Sequence, residues 1–233
     1  MKCWAVIPAA GVGKRMGTNI PKQYLPLAGR RVIDWSISKL LEHPSVNGAI
    51  VALGRDDSYW QDTEYASHPL VERVEGGAER CDSVLNALNA LGNTTDPDSW
   101  VLVHDAARPC VSARDISALI HMIEEKQLVG GLLGMQVRDT MKRTDQLNQV
   151  TATVERDQLW HAFTPQMFRL VDLKTALSKA LAAGAQITDE ASAMEWAGHR
   201  PMMLEGQGDN IKITRPADLE LAEFYLRSAA RAE

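Results

Sequence analysis

The sequence lacks a long hydrophobic run, and this absence excludes a class of function. None of its 233 residues belongs to an apolar stretch approaching the ~20 residues that a membrane-spanning helix needs. The first segment, MKCWAVIP, also lacks the apolar core and cleavage site of a secretory leader. We therefore expect a cytoplasmic protein without a membrane partner.

Paired cysteines and a surplus of basic residues are also missing. The three cysteines, Cys3, Cys81 and Cys110, are odd in number and scattered, and the six histidines show no paired spacing, so neither a disulfide framework nor a spaced metal motif is indicated. The net charge of −5 argues against broad nucleic-acid binding, which needs a basic face. If the protein binds anions, it must do so with a local cluster of cations.

What the sequence does contain is an alternation of short apolar segments with segments of helical period. Strands are predicted at 3–8, 48–54, 71–77, 100–109, 129–137 and 202–206. Helices are predicted at 32–43, 78–92, 112–127, 172–184, 188–198 and 214–233. This order predicts a single α/β domain over 1–233, with a Rossmann-like, mostly parallel sheet covered by helices. In such sheets, ligands bind beyond the carboxyl ends of the strands.

Several predicted helix ends carry recognisable signals. Ser112 and Thr188 are predicted to cap helix N-termini, and Gly184 and Gly198 stand where left-handed C-terminal glycines belong. Pro216 suits the first turn of the last helix.

One segment, VRDTMKRTDQLNQVTATVER at 137–156, departs from the alternation. It has two β-like halves around a polar turn and too little apolar surface for a core of its own. We interpret it as a protruding β-arm, and arms of this kind commonly embrace a second copy of the chain. The alternative is an edge hairpin that lies on its own domain.

A glycine-rich basic loop, PAAGVGKRMGTNIPKQY at 8–24, follows the first predicted strand. It matches neither the P-loop, because Arg15 follows Lys14, nor the dinucleotide fingerprint, because Met16 stands where the third glycine belongs. Small residues allow backbone N–H groups to approach a polyphosphate and form an anion nest. Lys14, Arg15 and Lys22 would add positive charge. The alternative is a tight turn with solvated basic side chains.

Three further segments place acidic and basic side chains after predicted strands. VHDAARP supplies Asp105, which could hold a divalent cation, and Arg108, which could bind an anion. EGGAERCDS brings glycines together with Arg80, and GDNIKITRP brings Asp209 close to Lys212. Each segment alone has an ordinary structural explanation. Together with the basic loop, they are predicted to meet at one edge of the sheet.

These segments also resemble a known family. PAAGVGKRMGTNIPKQY, GGAERCDSV, VLVHDAARP, VRDTMKR, TVERDQLWHAFTPQ, TDEASAMEWAG and DNIKITRPADLELAE together are similar to 2-C-methyl-D-erythritol 4-phosphate cytidylyltransferases, in order from about Trp4 to the last helix. The resemblance implies transfer of CMP from CTP to methylerythritol phosphate in the non-mevalonate isoprenoid pathway, with release of pyrophosphate and a requirement for Mg²⁺.

The resemblance also implies roles for individual residues. Arg15 and Lys22 would stabilise the transition state, while Arg156 and Lys212 would position the acceptor. Contacts to the cytidine, ribose and phosphates would come from Pro8, Ala9, Ala10, Gly11, Gly77, Arg80, Ser83, Asp105 and Ala106. Asp105 and Asp209 would serve the metal. The acceptor pocket would be formed by Arg108, Asp139, Thr140 and Thr164. Thr140 and Arg156 would act in the partner's site, which makes a homodimer the expected state.

Two other functions stay open at the level of sequence. One is a cytidylyltransferase for another polyol phosphate, such as ribitol 5-phosphate, since that family shares the fold, loop and arm. The other is a nucleotide-binding regulator without turnover, although Arg15 and Lys22, whose loss would be its usual sign, are both present.

Overall fold

A computed structural model describes residues 1–11, 17 and 20–229 of the chain. The core of the fold is a seven-stranded sheet. Its strands are β1 (Cys3–Pro8), β4 (Val46–Leu53), β5 (Val71–Glu75), β6 (Trp100–Val103), β7 (Gly130–Gln136), β10 (Trp160–Arg169) and β11 (Met202–Glu205). They lie in the order β11-β7-β10-β6-β1-β4-β5. Only β10 runs antiparallel to its neighbours, so the predicted mostly parallel α/β sheet is confirmed.

The described chain contains six α-helices, and the first five of them share core clusters with this sheet. They are α1 (Val32–Leu41), α2 (Arg80–Thr94), α3 (Ala113–Lys126), α4 (Leu170–Ala182), α5 (Glu190–Trp196) and α6 (Pro216–Ala229). The side chains of β1 alternate between two cores. Cys3, Ala5 and Ile7 pack in the core that contains α1 and α3, whereas Val6 packs in the core with α2, α4 and α5. Burial on both faces explains why the strands read as continuous apolar runs.

A third, smaller core cluster lies at one end of the fold. It joins a short hairpin, β2 (Pro26–Leu27) with β3 (Arg30–Arg31), to α6 and to Ile213. The backbone N–H of Ile213 donates to the carbonyl of Ala107 at 2.8 Å. This contact ties the segment that carries Lys212 to the loop that follows β6.

The helix-end predictions are confirmed with one exception. The Ser112 side chain accepts the N–H of Asp115, α6 begins at Pro216, and Gly184 and Gly198 have φ values of 70° and 88°. The exception is α5, where the N-cap is Asp189 rather than Thr188.

Strand β10 was not predicted from the sequence. Pro165 within this segment argues for an edge strand or a loop, since proline cannot donate to a sheet ladder. The strand nevertheless lies inside the sheet, between β6 and β7, and its pairing with β7 shifts register between Ala162 and Gln166. That irregularity accommodates the proline.

The predicted arm forms a separate hairpin. Its strands β8 (Met141–Thr144) and β9 (Val150–Val154) pair antiparallel, and every residue from 138 to 153 is exposed. Leu147 and Val150 are 78% and 61% exposed. The hairpin therefore does not lie against the body of its own chain. Within the described part of the chain, no helix has the length and apolar character to cross a membrane.

Candidate active site

A cavity lies at the carboxyl ends of β1 and β6, where the chain order of the sheet reverses, which is the usual ligand position in such sheets. It has a volume of about 400 Å³. Its lining includes most of the predicted site residues, namely Pro8, Ala9, Ala10, Gly11, Lys22, Gly77, Arg80, Ser83, Asp105, Ala106 and Lys212. The predicted meeting of four post-strand segments is thus observed in their described residues.

The first part of the basic loop is held by a residue that the sequence interpretation missed. Gln23 is 3% exposed, and its Nε2 donates to the carbonyls of Ala9 at 2.7 Å and Gly11 at 3.0 Å. These hydrogen bonds fix the backbone of residues 9–11 at the wall of the cavity. Arg15, predicted to act in catalysis, and Lys14 lie outside the described residues.

Lys22 stands at the opposite end of this loop, in a 3₁₀ turn at Lys22–Tyr24 that follows Pro21. Its Nζ donates to the carbonyl of Ile213 at 2.8 Å. Because Ile213 follows Lys212, this hydrogen bond brings the two lysines to the same wall of the cavity.

Two glycines shape the wall that follows β5. A Cβ on Gly76 would lie 2.5 Å from the Cβ of Ala10, and a Cβ on Gly77 would collide with Asp82. The Gly77 N–H donates to Ser83 Oγ at 3.0 Å, and that hydroxyl donates to the Glu79 carbonyl at 3.1 Å. Ser83 therefore orders this turn with its hydroxyl.

Three cationic side chains contact Asp105, a buried carboxylate in the loop that follows β6. Arg80 Nε lies 2.9 Å from its Oδ1, while Lys212 Nζ and Arg108 Nε lie 2.7 and 3.5 Å from its Oδ2. Burial alone would raise the pKa of the Asp105 carboxyl, but the three cations outweigh burial and hold this pKa well below its usual range. Burial would likewise lower the pKa of Arg80, yet Glu190 and Asp105 raise it above its ordinary value.

A hydrogen-bonded chain fixes the backbone at Asp105. His104 Nε2 lies 2.9 Å from the Arg108 carbonyl, which can only accept, so this nitrogen carries the proton. Nδ1 then accepts the Thr164 hydroxyl proton at 3.0 Å, and Thr164 Oγ1 accepts the Asp105 N–H at 3.0 Å. Burial lowers the pKa of His104 to about 4, which keeps the imidazole neutral.

Because His104 stays neutral in the folded chain, we expect the protein to lose stability in mild acid. Between an unfolded pKa of ~6.5 and a folded pKa of about 4, the unfolded chain binds a proton that the native chain does not bind. The free energy of unfolding should therefore fall as the pH falls through this window, by up to about 3 kcal/mol. Urea titrations of the metal-free protein measure the effect.

The matched variant for that prediction is His104→Gln, which keeps an N–H donor for the Arg108 carbonyl. Its stability should depend less on pH between about 6.5 and 4 than that of the wild type. Asp105 does not confuse the comparison, because its own loss of stability starts near its unfolded pKa of ~3.9, at the lower edge of this window, and both proteins carry this residue. Parallel pH profiles for the two proteins would contradict the prediction.

Other predicted residues lie outside the cavity lining. Arg108 and Thr164 are buried behind Asp105, and the Arg108 guanidinium packs 4.9 Å from the Phe163 ring centroid. Asp209 has a buried Oδ1 to which no described residue donates a hydrogen bond, and burial together with Asp115 raises its pKa. Its role at a metal stays a prediction.

The arm residues Asp139, Thr140 and Arg156 are exposed. Arg156 donates to the carbonyl of Arg138 and lines a groove at the base of the arm. Within one chain, the structure does not bring these residues to the cavity at the carboxyl ends of β1 and β6.

The donor set of the cavity suits a magnesium ion that is shared with substrate. No three His, Cys, Asp or Glu side chains cluster as a metal site in the described ranges. Mg²⁺, however, commonly uses one or two carboxylates together with substrate phosphates and water. Asp105 supplies such a carboxylate, and the neighbouring cations suit the phosphates.

Comparison with known proteins decides the family. The family model for 2-C-methyl-D-erythritol 4-phosphate cytidylyltransferase matches residues 3–228. The chain belongs to this family. The resemblance inferred from the motifs is therefore confirmed.

Individual members of the cytidylyltransferase family agree with this assignment. Those named 2-C-methyl-D-erythritol 4-phosphate cytidylyltransferase from Pseudomonas fluorescens (strain SBW25) and Vibrio vulnificus (strain YJ016) are 54% and 52% identical to the chain. The alignments cover 93% and 95% of the chain and 92% and 93% of those relatives. The crystal structure of the Francisella tularensis enzyme of that name superposes with a TM-score of 0.85 at 36% identity, covering 97% of this chain and 100% of that one.

Proposed function

We propose that the chain transfers CMP from CTP to 2-C-methyl-D-erythritol 4-phosphate and releases pyrophosphate, as a step of isoprenoid biosynthesis. The observation that carries the proposal is the family match over residues 3–228. The geometry supports it, because the cavity presents Lys22, Arg80 and Lys212 to a ligand at the carboxyl edge of the sheet. Such a cluster of cations suits a triphosphate and a second phosphate ester.

The cavity is suited to a reaction that needs no general base. A phosphate monoester with a second pKa near ~6 is largely dianionic at neutral pH, so its oxygen can attack the α-phosphorus directly. His104, the histidine nearest to Asp105 in sequence, is fully buried and hydrogen-bonded through both ring nitrogens. We therefore assign it a structural role rather than proton transfer.

The reaction instead needs two mutually repelling anions held in line and stabilisation of charge on the leaving pyrophosphate. We assign transition-state stabilisation to Lys22 together with Arg15. Lys212 would position the acceptor phosphate, and Asp105 would hold Mg²⁺. A bound Mg²⁺ would neutralise charge on the phosphates as the bond to pyrophosphate breaks.

The acceptor side of the site would be completed by a second copy of the chain. Asp139, Thr140 and Arg156 were assigned to the acceptor, yet they lie on an exposed arm away from the cavity of their own chain. A homodimer in which each arm reaches the partner's cavity would bring these acceptor residues to a site. The exposed apolar side chains of the arm support burial by a partner.

The decisive assay measures pyrophosphate release with CTP, Mg²⁺ and one of three acceptor conditions: methylerythritol phosphate, ribitol 5-phosphate or none. We expect turnover with methylerythritol phosphate. Turnover with ribitol 5-phosphate alone would overturn the substrate assignment. No pyrophosphate release under any of the three conditions, although CTP binds, would favour a nucleotide-binding regulator without turnover.

A glycine variant tests the predicted nucleotide loop. Gly76→Ala should displace Ala10 at a cost of about 1–3 kcal/mol and raise the KM for CTP about tenfold. Gly92→Ala is the matched control, because its Cβ would meet only the flexible end of Lys174. This control should leave the KM unchanged and stabilise α2 slightly. An unchanged KM in both variants would argue against contact between this wall and CTP.

A further inference from the structure

A buried carboxylate behind the cavity is not explained by substrate contact. Glu190, the first residue of α5, is 1% exposed and does not belong to the cavity lining. It accepts from Arg80 through both oxygens, at 2.6 Å from Nη1 and 3.1 Å from Nη2. Such a two-point pair fixes the plane of a guanidinium as well as its position.

Arg80 is thereby held between two elements of the fold. While Glu190 binds its two terminal nitrogens, Asp105 accepts from its Nε at 2.9 Å. A guanidinium carries five N–H groups, and these contacts use only some of them. The side chain stays 26% exposed and lines the cavity, so the guanidinium is presented to a ligand in a fixed orientation.

The position of Glu190 is itself set by strand β10. Gln166 of this strand is 1% exposed. Its Oε1 accepts the N–H of Ala191 at 2.8 Å, and its Nε2 donates to Asp189 at 2.9 Å. These contacts clamp both neighbours of Glu190 in the first turn of α5. A continuous series of contacts therefore runs from the inside of the sheet to the cavity. It passes from Gln166 through the start of α5 to Glu190, and from there to Arg80 and Asp105.

We propose that Glu190 is a positioning residue that presents the Arg80 guanidinium to the phosphates of the nucleotide. This inference rests on the proposed function, because it takes CTP as the ligand. It also accounts for two motifs, TPQ and TDEAS, that supply no residue of the cavity lining. One supplies Gln166 and the other supplies Asp189 and Glu190.

The test measures CTP binding by calorimetry, and kcat and KM for each substrate. Glu190→Gln keeps the shape but places an NH₂ group opposite an Arg80 donor. We expect the Kd and KM for CTP to rise about 10–100-fold, by analogy with the loss found when the residues that orient metal ligands are removed. The KM for methylerythritol phosphate should change little. A folded Glu190→Gln protein with the wild-type Kd for CTP would overturn the proposal.

A double variant separates positioning from general stabilisation. If Glu190 acts through Arg80, Arg80→Ala combined with Glu190→Gln should bind CTP no more weakly than Arg80→Ala alone. The double variant should also be more stable than Arg80→Ala, which leaves the Glu190 charge buried without a partner. Additive losses of affinity would contradict the mechanism.

Two controls keep the result interpretable. Glu190→Asp retains the buried charge but withdraws the carboxylate from Arg80, so it should weaken CTP binding even if Glu190→Gln fails to fold. Asp34→Asn removes a buried carboxylate that accepts from the N–H groups of Arg31 and Glu64 and does not belong to the cavity lining. It should lower the melting temperature and leave the Kd for CTP unchanged.

The wild-type measurements distinguish failure of this inference from failure of the proposed function. Wild-type turnover with an unchanged Kd in folded Glu190→Gln or Glu190→Asp would overturn only the role of Glu190. A wild-type chain that neither binds CTP nor releases pyrophosphate would overturn both.

Discussion

Replacement of Lys22 by methionine is expected to lower kcat for pyrophosphate release about 10²–10³-fold, the loss found when one donor to developing charge is removed. Methionine preserves most of the apolar stem and removes the ammonium group. Lys22 lines the cavity at the end of the basic loop, and its Nζ donates to the Ile213 carbonyl. The backbone contact fixes the position from which the charge can act on the phosphates.

The KM for CTP should rise much less than kcat falls. Arg80 and Lys212 also line the cavity and would continue to attract the triphosphate in the ground state. A loss confined to kcat is the signature of an interaction made mainly in the transition state. A variant with a raised KM and normal kcat would instead assign Lys22 to ground-state binding.

The matched control is Lys179→Met, which removes an exposed ammonium group from α4. It should leave both kinetic constants unchanged. Thermal melts of both variants should accompany the kinetics, because Lys22→Met also frees the Ile213 carbonyl. Loss of the hydrogen bond to Ile213 should cost about 1 kcal/mol, too little to unfold the protein or to explain the loss of kcat.

The parallel strands and the edge of the sheet that binds ligands could be predicted because their signals are local. A strand buried on both faces is continuously apolar, as β1 and β6 are, and the residues after such strands meet at one edge. Asp105 and Gly77 could therefore be assigned to one site although their strands are not adjacent in the sheet.

The residues that hold the site in place could not be predicted in this way. Glu190 contacts Arg80 across 110 residues of sequence, and a buried glutamate at the start of a helix looks like any solvated first-turn acid. Gln23 and Gln166 act through hydrogen bonds to the backbone after β1 and to the first turn of α5, which only the folded chain brings near. Strand β10 was missed for a different reason, since Pro165 is a local signal that the register shift overrides.

The second large effect concerns the arm. Arg156→Ala is expected to be nearly inactive if Arg156 positions the acceptor, although the side chain lies outside the cavity lining of its own chain. Lys22→Ala should be nearly inactive because the change is within the cavity itself. If the arm reaches the partner's cavity, these two inactive proteins should complement each other.

The expected rescue follows from the geometry of a mixed dimer. The body of the Arg156→Ala subunit retains Lys22 and would receive the intact arm of the Lys22→Ala subunit, so one of its two sites is complete. Random mixing of equal amounts should therefore restore about one quarter of the wild-type activity. If Arg156 instead served the site of its own chain, no mixed dimer would contain a complete site.

A second mixture controls for non-specific recovery. Lys22 and Lys212 both line the cavity of a single chain, so Lys22→Ala mixed with Lys212→Ala should stay inactive in either arrangement. Differently tagged subunits, purified sequentially after refolding together, would establish that mixed dimers form. With mixed dimers present, activity in the arm mixture alone would assign Arg156 to the partner's site. Equal absence of activity in both mixtures would confine each site to one chain, and Arg156 would then act in the site of its own chain.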